Sequence, residues 1–203
     1  MKLSSPVHQF FDQYLPHIKG AGTRTIQSYR DTFRLFLPFA AKHYGIKVRS
    51  LRLEHISPEL IIAFLHELQL VRHNLPKTRN QRLAAIKSFA KMIRFMYPQH
   101  KELSERVLHI PQKRAQKPLI GFLYHDEILK VFRSVDLKRR EGFRDYTILH
   151  LLYDSGARAS EITTLNIDYF DPIHHTLAIL GKGERFRIIK LEKRTVQLIQ
   201  LYI

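Results

Sequence analysis

The chain has no cysteine, and this absence excludes three classes of site. Disulfide frameworks, cysteine nucleophiles and zinc sites with thiolate ligands all require cysteine side chains. The 12 histidines are scattered, and none has the His-Glu-x-x-His spacing typical of a metal site. We therefore expect neither a bound metal nor another cofactor.

Long apolar runs are also missing. No stretch approaches the ~20 continuous apolar residues of a membrane span, and residues 1–6 lack the apolar core of a secretory signal. The basic residues are spread along the chain and interleaved with acids, unlike the single polybasic block of a membrane-surface anchor. We expect a cytoplasmic protein with no membrane partner.

The chain does have a large excess of positive charge. Its 203 residues contain 34 Lys and Arg against 18 Asp and Glu, which gives a formal charge of +16 and a pI near 10.2. An apolar content of 44% is enough for one sizeable domain or two small ones. A folded chain of this charge is expected to bind a polyanion, and nucleic acid is the first candidate.

Apolar spacing predicts helices throughout the first hundred residues. One spans residues 24–44, where Pro38 should kink or split it. A second begins after Ser57 as N-cap and runs to residue 68, and a third covers residues 77–96.

The third predicted helix carries basic side chains set apart from its apolar stripe. We predict DNA contacts for them: Arg79, Arg82, Lys87, Lys91 and Arg94. The alternative is an ordinary solvated helix face. Residues 1–112 hold 18 basic and 7 acidic side chains, and this local excess favours DNA.

The second half predicts a mixed structure. A polar, proline-bounded stretch at residues 112–118 is typical of a linker, and its basic residues are further candidates for DNA contacts: Lys113, Arg114 and Lys117. Helices are predicted near residues 126–134, 144–153 and 159, with a last one from about residue 192. Two apolar strands flanking Gly-Lys-Gly-Glu-Arg predict a hairpin with Lys182 at its tip. The predicted fold class is mainly α with a small β-hairpin (α+β).

Two basic residues occupy unusual local settings. Arg158 follows a Ser-Gly break and precedes a short helix carrying Glu161, so the guanidinium could bind either Glu161 or a ligand phosphate. Lys182 lies between two glycines, where it is either a solvated turn residue or an ammonium free to reach into a groove.

Taken together, these segments resemble the tyrosine recombinase (phage integrase) family. Gly156-Ala157-Arg158-Ala159-Ser160-Glu161 matches its Gly-x-Arg-x-Ser-Glu motif, and Gly181-Lys182-Gly183 with Arg185 and Arg187 matches its basic hairpin. The resemblance implies a helical, SAM-like core-binding domain at residues 1–111, a linker at 112–118 and the N-terminal part of a catalytic domain at 119–203.

The resemblance also implies a metal-free mechanism in which a tyrosine attacks a DNA phosphodiester. Arg158 would bind the scissile phosphate, Lys182 would be the general acid for the leaving 5′-oxygen, and Glu161 would support the arginine turn. Arg185 and Arg187 would contact double-stranded DNA, on which the intact family assembles as homotetramers.

The family's remaining catalytic motifs are not found in these residues. No histidine has an arginine three positions later, and Tyr202 lies in an apolar helical stretch that predicts a packing role. We therefore expect a chain cut short before the nucleophile, which binds DNA without cutting it. The alternatives are a non-catalytic or regulatory DNA-binding relative and, with no RNA-recognition motif to support it, an RNA-binding helical module.

Overall fold

The computed structural model describes residues 1–116, 121–181, 183 and 185–203, with the backbone alone for residue 140. The chain divides into two compact units, residues 1–118 and 119–203. The predicted fold class, mainly helical with a small antiparallel sheet, is confirmed.

The first unit is built from helices. They are α1 (Ser4–Gln9), a π-helical segment (Phe10–Ile18), α2 (Thr23–His43), α3 (Pro58–Leu70), α4 (Pro76–Met96) and α5 (Lys101–Leu108). Helix α2 runs unbroken through Pro38, so the predicted split does not occur. Helix α3 begins as predicted, because the Ser57 hydroxyl accepts the backbone N–H of Leu60 at 3.2 Å.

Aromatic side chains fill the centre of this unit. Phe10 and Phe33 each lie 5.4 Å from Phe89 between ring centroids, and Phe36 lies 5.1 Å from Phe64. These rings join the π-helical segment to α2, α3 and α4. Truncating one such buried ring to alanine typically costs about 3–5 kcal/mol.

The start of the predicted linker is attached to the first unit. The Asn80 side chain donates to the Lys113 carbonyl at 2.6 Å and accepts the Lys113 N–H at 2.9 Å. The Lys113 ammonium also donates to Gln69 at 3.2 Å. Residues 111–116 have no regular secondary structure, and Lys117 lies outside the described residues.

The second unit combines short helices with a three-stranded sheet. Its elements are α6 (His125–Arg133), α7 (Arg140–Ser155), α8 (Ala159–Ile162), β1 (Phe170–Asp171), β2 (Thr176–Leu180), β3 (Phe186–Lys190) and α9 (Lys193–Tyr202). The strands pair antiparallel in the order β1-β2-β3. The β2–β3 hairpin and the helices match the sequence prediction, whereas the two-residue strand β1 was not predicted.

Strand β2 contributes two side chains to the hydrophobic core of the second unit. Its inward side chains Leu177 and Ile179 are buried, as the two-residue period of a strand requires. They pack with Leu151 of α7 and with Val196 and Ile199 of α9. Within the described residues of both units, no helix has the length and apolar character to cross a bilayer.

Candidate functional site

The turn that carries Arg158 is fixed by backbone geometry. Helix α7 ends at Gly156, whose left-handed φ of 59° suits glycine, and its N–H donates to the Leu152 carbonyl at 3.1 Å. The Ala157 N–H then donates to the Ser155 hydroxyl at 3.1 Å. Arg158 follows as the N-cap residue of α8, with 74% of its side chain exposed.

Glu161 lies under this turn and is only 7% exposed. Its carboxylate accepts the Arg158 backbone N–H at 2.8 Å and one Arg158 guanidinium N–H at 2.9 Å. It also accepts two N–H groups of Arg187, at 3.1 Å and 2.8 Å. The Arg158–Glu161 contact was one of the two alternatives that the sequence left open for Arg158, whereas Arg187 was not predicted as a second partner of Glu161.

Two guanidinium groups on one carboxylate strongly favour its ionised form. Hydrogen bonds from Arg187, and then the Arg158 backbone N–H, lower the pKa of Glu161 to about 2. In return, the Glu161 carboxylate raises the pKa of Arg187. The three side chains form a fixed Arg–Glu–Arg bridge with one net positive charge.

The end of the hairpin lies beside this bridge. Gly181 donates its N–H to the Arg185 carbonyl at 2.8 Å, and a Cβ on Gly181 would lie 3.5 Å from Arg187 Nη1 and 4.0 Å from Glu161 Oε1. Lys182, the predicted general acid, lies outside the described residues. Arg185 is exposed.

The first unit presents a separate basic surface on α4. Lys91 and Arg94 are exposed, and Lys87 is half-buried. Lys19, at the end of the π-helical segment, joins them by donating to the buried Ser88 hydroxyl at 2.8 Å. We call Lys19, Lys87 and Lys91 the lysine cluster. Lys19 was not predicted, because it lies before the first helix that apolar spacing indicates.

Within the lysine cluster, the ammonium group of Lys91 repels those of Lys19 and Lys87. Burial, and then the charge of Lys91, lower the pKa of Lys19 and of Lys87. Among the described residues no carboxylate forms an ion pair within 4.0 Å of the lysine cluster or of Arg94. Lys91 and Arg94 line an open groove of about 600 Å³ with Tyr14, Ile18 and Phe95.

Two other predicted DNA-contacting residues on α4 are placed differently. Arg79 is only 8% exposed, so its predicted position apart from the apolar stripe is wrong. It lies four and seven residues before Leu83 and Ile86, which puts it on the stripe itself. Arg82 donates to the buried Thr32 hydroxyl at 3.2 Å. Their contact with DNA stays a prediction, as does that of the exposed Arg114.

Tyr202 is half-exposed rather than packed in the core. Among the described residues, no group of three or more potential metal ligands comes together.

Comparison with known proteins identifies the family. Residues 8–94 match the model of the phage integrase N-terminal SAM-like domain. A Sinorhizobium fredii protein named as an integrase/recombinase, y4rD, is 35% identical over 191 residues, which cover 93% of this chain and 68% of the relative. This chain belongs to the tyrosine recombinase (phage integrase) family.

A second relative is similar to the same degree, and a solved structure shares the fold. A second Sinorhizobium fredii integrase/recombinase, y4rC, is 35% identical over 203 residues, covering 99% of this chain, and the chain spans 61% of that relative's length. The fold matches the XerH site-specific recombinase, solved in a post-cleavage complex with palindromic difH substrate, with a TM-score of 0.68. That match has 20% identity and covers 91% of this recombinase-family chain and 53% of XerH.

Proposed function

We propose that this chain is the DNA-binding portion of a site-specific tyrosine recombinase and that it binds double-stranded DNA through its phosphates. The observation that carries the proposal is the lysine cluster. Three ammonium groups from two separate segments meet where no described carboxylate compensates them. This arrangement costs free energy in the isolated protein, and a polyanion relieves that cost.

Duplex DNA fits this surface better than a small anion does. Lys87, Lys91 and Arg94 follow one another along the face of α4 with a spacing of four and then three residues, so they form a row and not a single pocket. A row of cations matches the regular spacing of backbone phosphates, and it binds them without reading the base sequence.

In the second unit we propose that Arg158 binds the phosphate at the site of strand exchange. Its side chain is mostly exposed, and Glu161 takes only one of its guanidinium N–H groups. The remaining donors can form the paired hydrogen bonds with which arginine binds phosphate oxygens. Glu161 supports the turn, and Lys182 keeps the general-acid role that the family resemblance implies.

These 203 residues hold no His-x-x-Arg motif, and we propose that they bind DNA without forming a covalent link to it. Phosphoryl transfer needs several preorganised cations around the phosphate, and this motif would supply part of that set. A homo-oligomer on DNA, which in the intact family is a tetramer, belongs to the same proposal.

The proposal is tested with fluorescence anisotropy and a nicked suicide substrate. We expect salt-dependent binding to a labelled DNA duplex and no covalent adduct after denaturing electrophoresis. Binding to an RNA duplex of matched sequence is measured in the same way, and it tests the alternative that the chain is an RNA-binding module. Binding that is unchanged between low and physiological salt, tighter binding to RNA, or a covalent adduct would each contradict the proposal.

A further inference from the structure

Arg187 points to the inner side of the hairpin. On β3 the outward side chains Phe186, Ile188 and Lys190 are exposed, whereas Arg187 and Ile189 face the other way and are half-buried. Arg187 pairs in register with Ile179, a core residue of β2. The family resemblance implies a DNA contact for Arg187, but its position in the strand directs its side chain towards the protein.

Arg187 there meets a carboxylate that is almost fully buried. Both terminal guanidinium nitrogens donate to Glu161, one to each oxygen, across 26 positions of sequence. Such paired contacts fix the plane of the carboxylate as well as its position. An exposed ion pair would have little effect on structure, but this pair belongs to a network that also includes the Arg158 backbone and side chain.

We propose that Arg187 is a positioning residue that holds the β2–β3 hairpin against the Arg158 turn through Glu161. With the carboxylate plane fixed, the Arg158 guanidinium is held at one edge and directs its other donors outward. The same contact keeps the end of the hairpin close to Glu161, since a Cβ on Gly181, the residue before Lys182, would lie 4.0 Å from Glu161 Oε1. The inference rests on the proposed function only in assigning a phosphate to Arg158.

The absence of native cysteine allows a direct test in the protein without DNA. Spin labels on Ser160→Cys and Ile188→Cys, both exposed positions, report the distance between α8 and the hairpin by pulsed electron paramagnetic resonance. We expect a narrow distance distribution in the otherwise unchanged chain, a clearly broader one with Arg187→Gln, and partial recovery with Arg187→Lys. The matched control is Arg185→Gln, which removes one positive charge from the same hairpin and should leave the distribution narrow.

Two further measurements separate positioning from a general loss of structure and from DNA contact. Carbon NMR titration of the Glu161 carboxyl should show its pKa rising more with Arg187→Gln than with Arg158→Gln, because Arg187 is its strongest partner. The salt dependence of DNA binding should keep its slope with Arg187→Gln, whereas loss of one phosphate contact lowers it by about 0.9.

An unchanged distance distribution with Arg187→Gln overturns the inference whether or not the chain binds DNA. So does a DNA-binding slope that Arg187→Gln lowers by about 0.9, the effect of one lost phosphate contact. Failure of the chain to bind DNA would contradict the proposed function alone, because the distances and the Glu161 titration are measured without DNA.

Discussion

The α4 surface makes a quantitative prediction about salt. Replacing Lys87, Lys91 and Arg94 together by glutamine removes three cations but leaves the buried stripe of α4 intact. Lys19 is kept, because its ammonium is bonded to the buried Ser88 hydroxyl and its loss would disturb the fold. Any change in DNA binding should then come from the surface.

The expected magnitude follows from counterion release. Each phosphate contact contributes about 0.9 to the slope of log affinity against log salt, so three lost contacts lower the slope by about 2.7. Between 50 and 200 mM salt the unchanged chain should therefore lose about 40-fold more affinity than the triple variant does. The assay is fluorescence anisotropy with one duplex over a series of salt concentrations.

A second triple variant controls for net charge. Arg34, Lys101 and Arg106 lie in the same unit, and each is paired with a carboxylate, at 3.4, 3.9 and 2.9 Å respectively. Changing all three to glutamine removes the same total charge, and we expect a much smaller change in slope. Equal slopes for the two triple variants would refute the argument, because binding would then follow total charge and not the α4 surface.

Three further predictions concern the folded chain. Glu161→Gln should remove a pH dependence of stability. Because the pKa of Glu161 is depressed, its ionised carboxylate stabilises the fold above about pH 4.5, and this contribution is lost as the pH falls towards about 2. Acid unfolding of the two proteins, followed by circular dichroism, would detect the difference. Asn80→Ala should make tryptic cleavage after Lys113 about fivefold faster, because it removes ~1 kcal/mol of hydrogen bonding. Asn80→Asp still accepts the Lys113 N–H and should change the cleavage rate less. Gly156→Ala should destabilise the second unit by about 1–2 kcal/mol in thermal melts, because the φ of Gly156 is left-handed. The control is Gly121→Ala, at an open position without a left-handed φ, and it should have little effect on stability.

The sequence predicted the long elements well for a physical reason. In helix α4 apolar residues recur with a helical period from Leu83 to Met96, and the hairpin pairs two apolar strands across a glycine-rich turn. The bounds of the π-helical segment were not predicted, because Pro16 interrupts its pattern and Pro6 lies in the helix before it. Strand β1 is too short for alternation to be detected.

The candidate site shows the same limit. The contact between Arg158 and Glu161 spans three residues, so local spacing could predict it. Arg187 reaches Glu161 only because the hairpin folds back against α8, and no local pattern reports a pairing between side chains 26 residues apart. The burial of Arg79 could have been predicted, because the helical period places this residue on the apolar stripe, but its charge suggested exposure.

The two hydrophobic cores differ greatly in size. Among the described residues, 24 buried apolar side chains belong to the main cluster of the first unit and 6 to that of the second. Since the burial of apolar surface is the main favourable term in folding, warming should disorder the second unit first. The surviving helical half would retain the α4 lysines after the arginine bridge has gone, so attachment to DNA would outlast the geometry around Arg158.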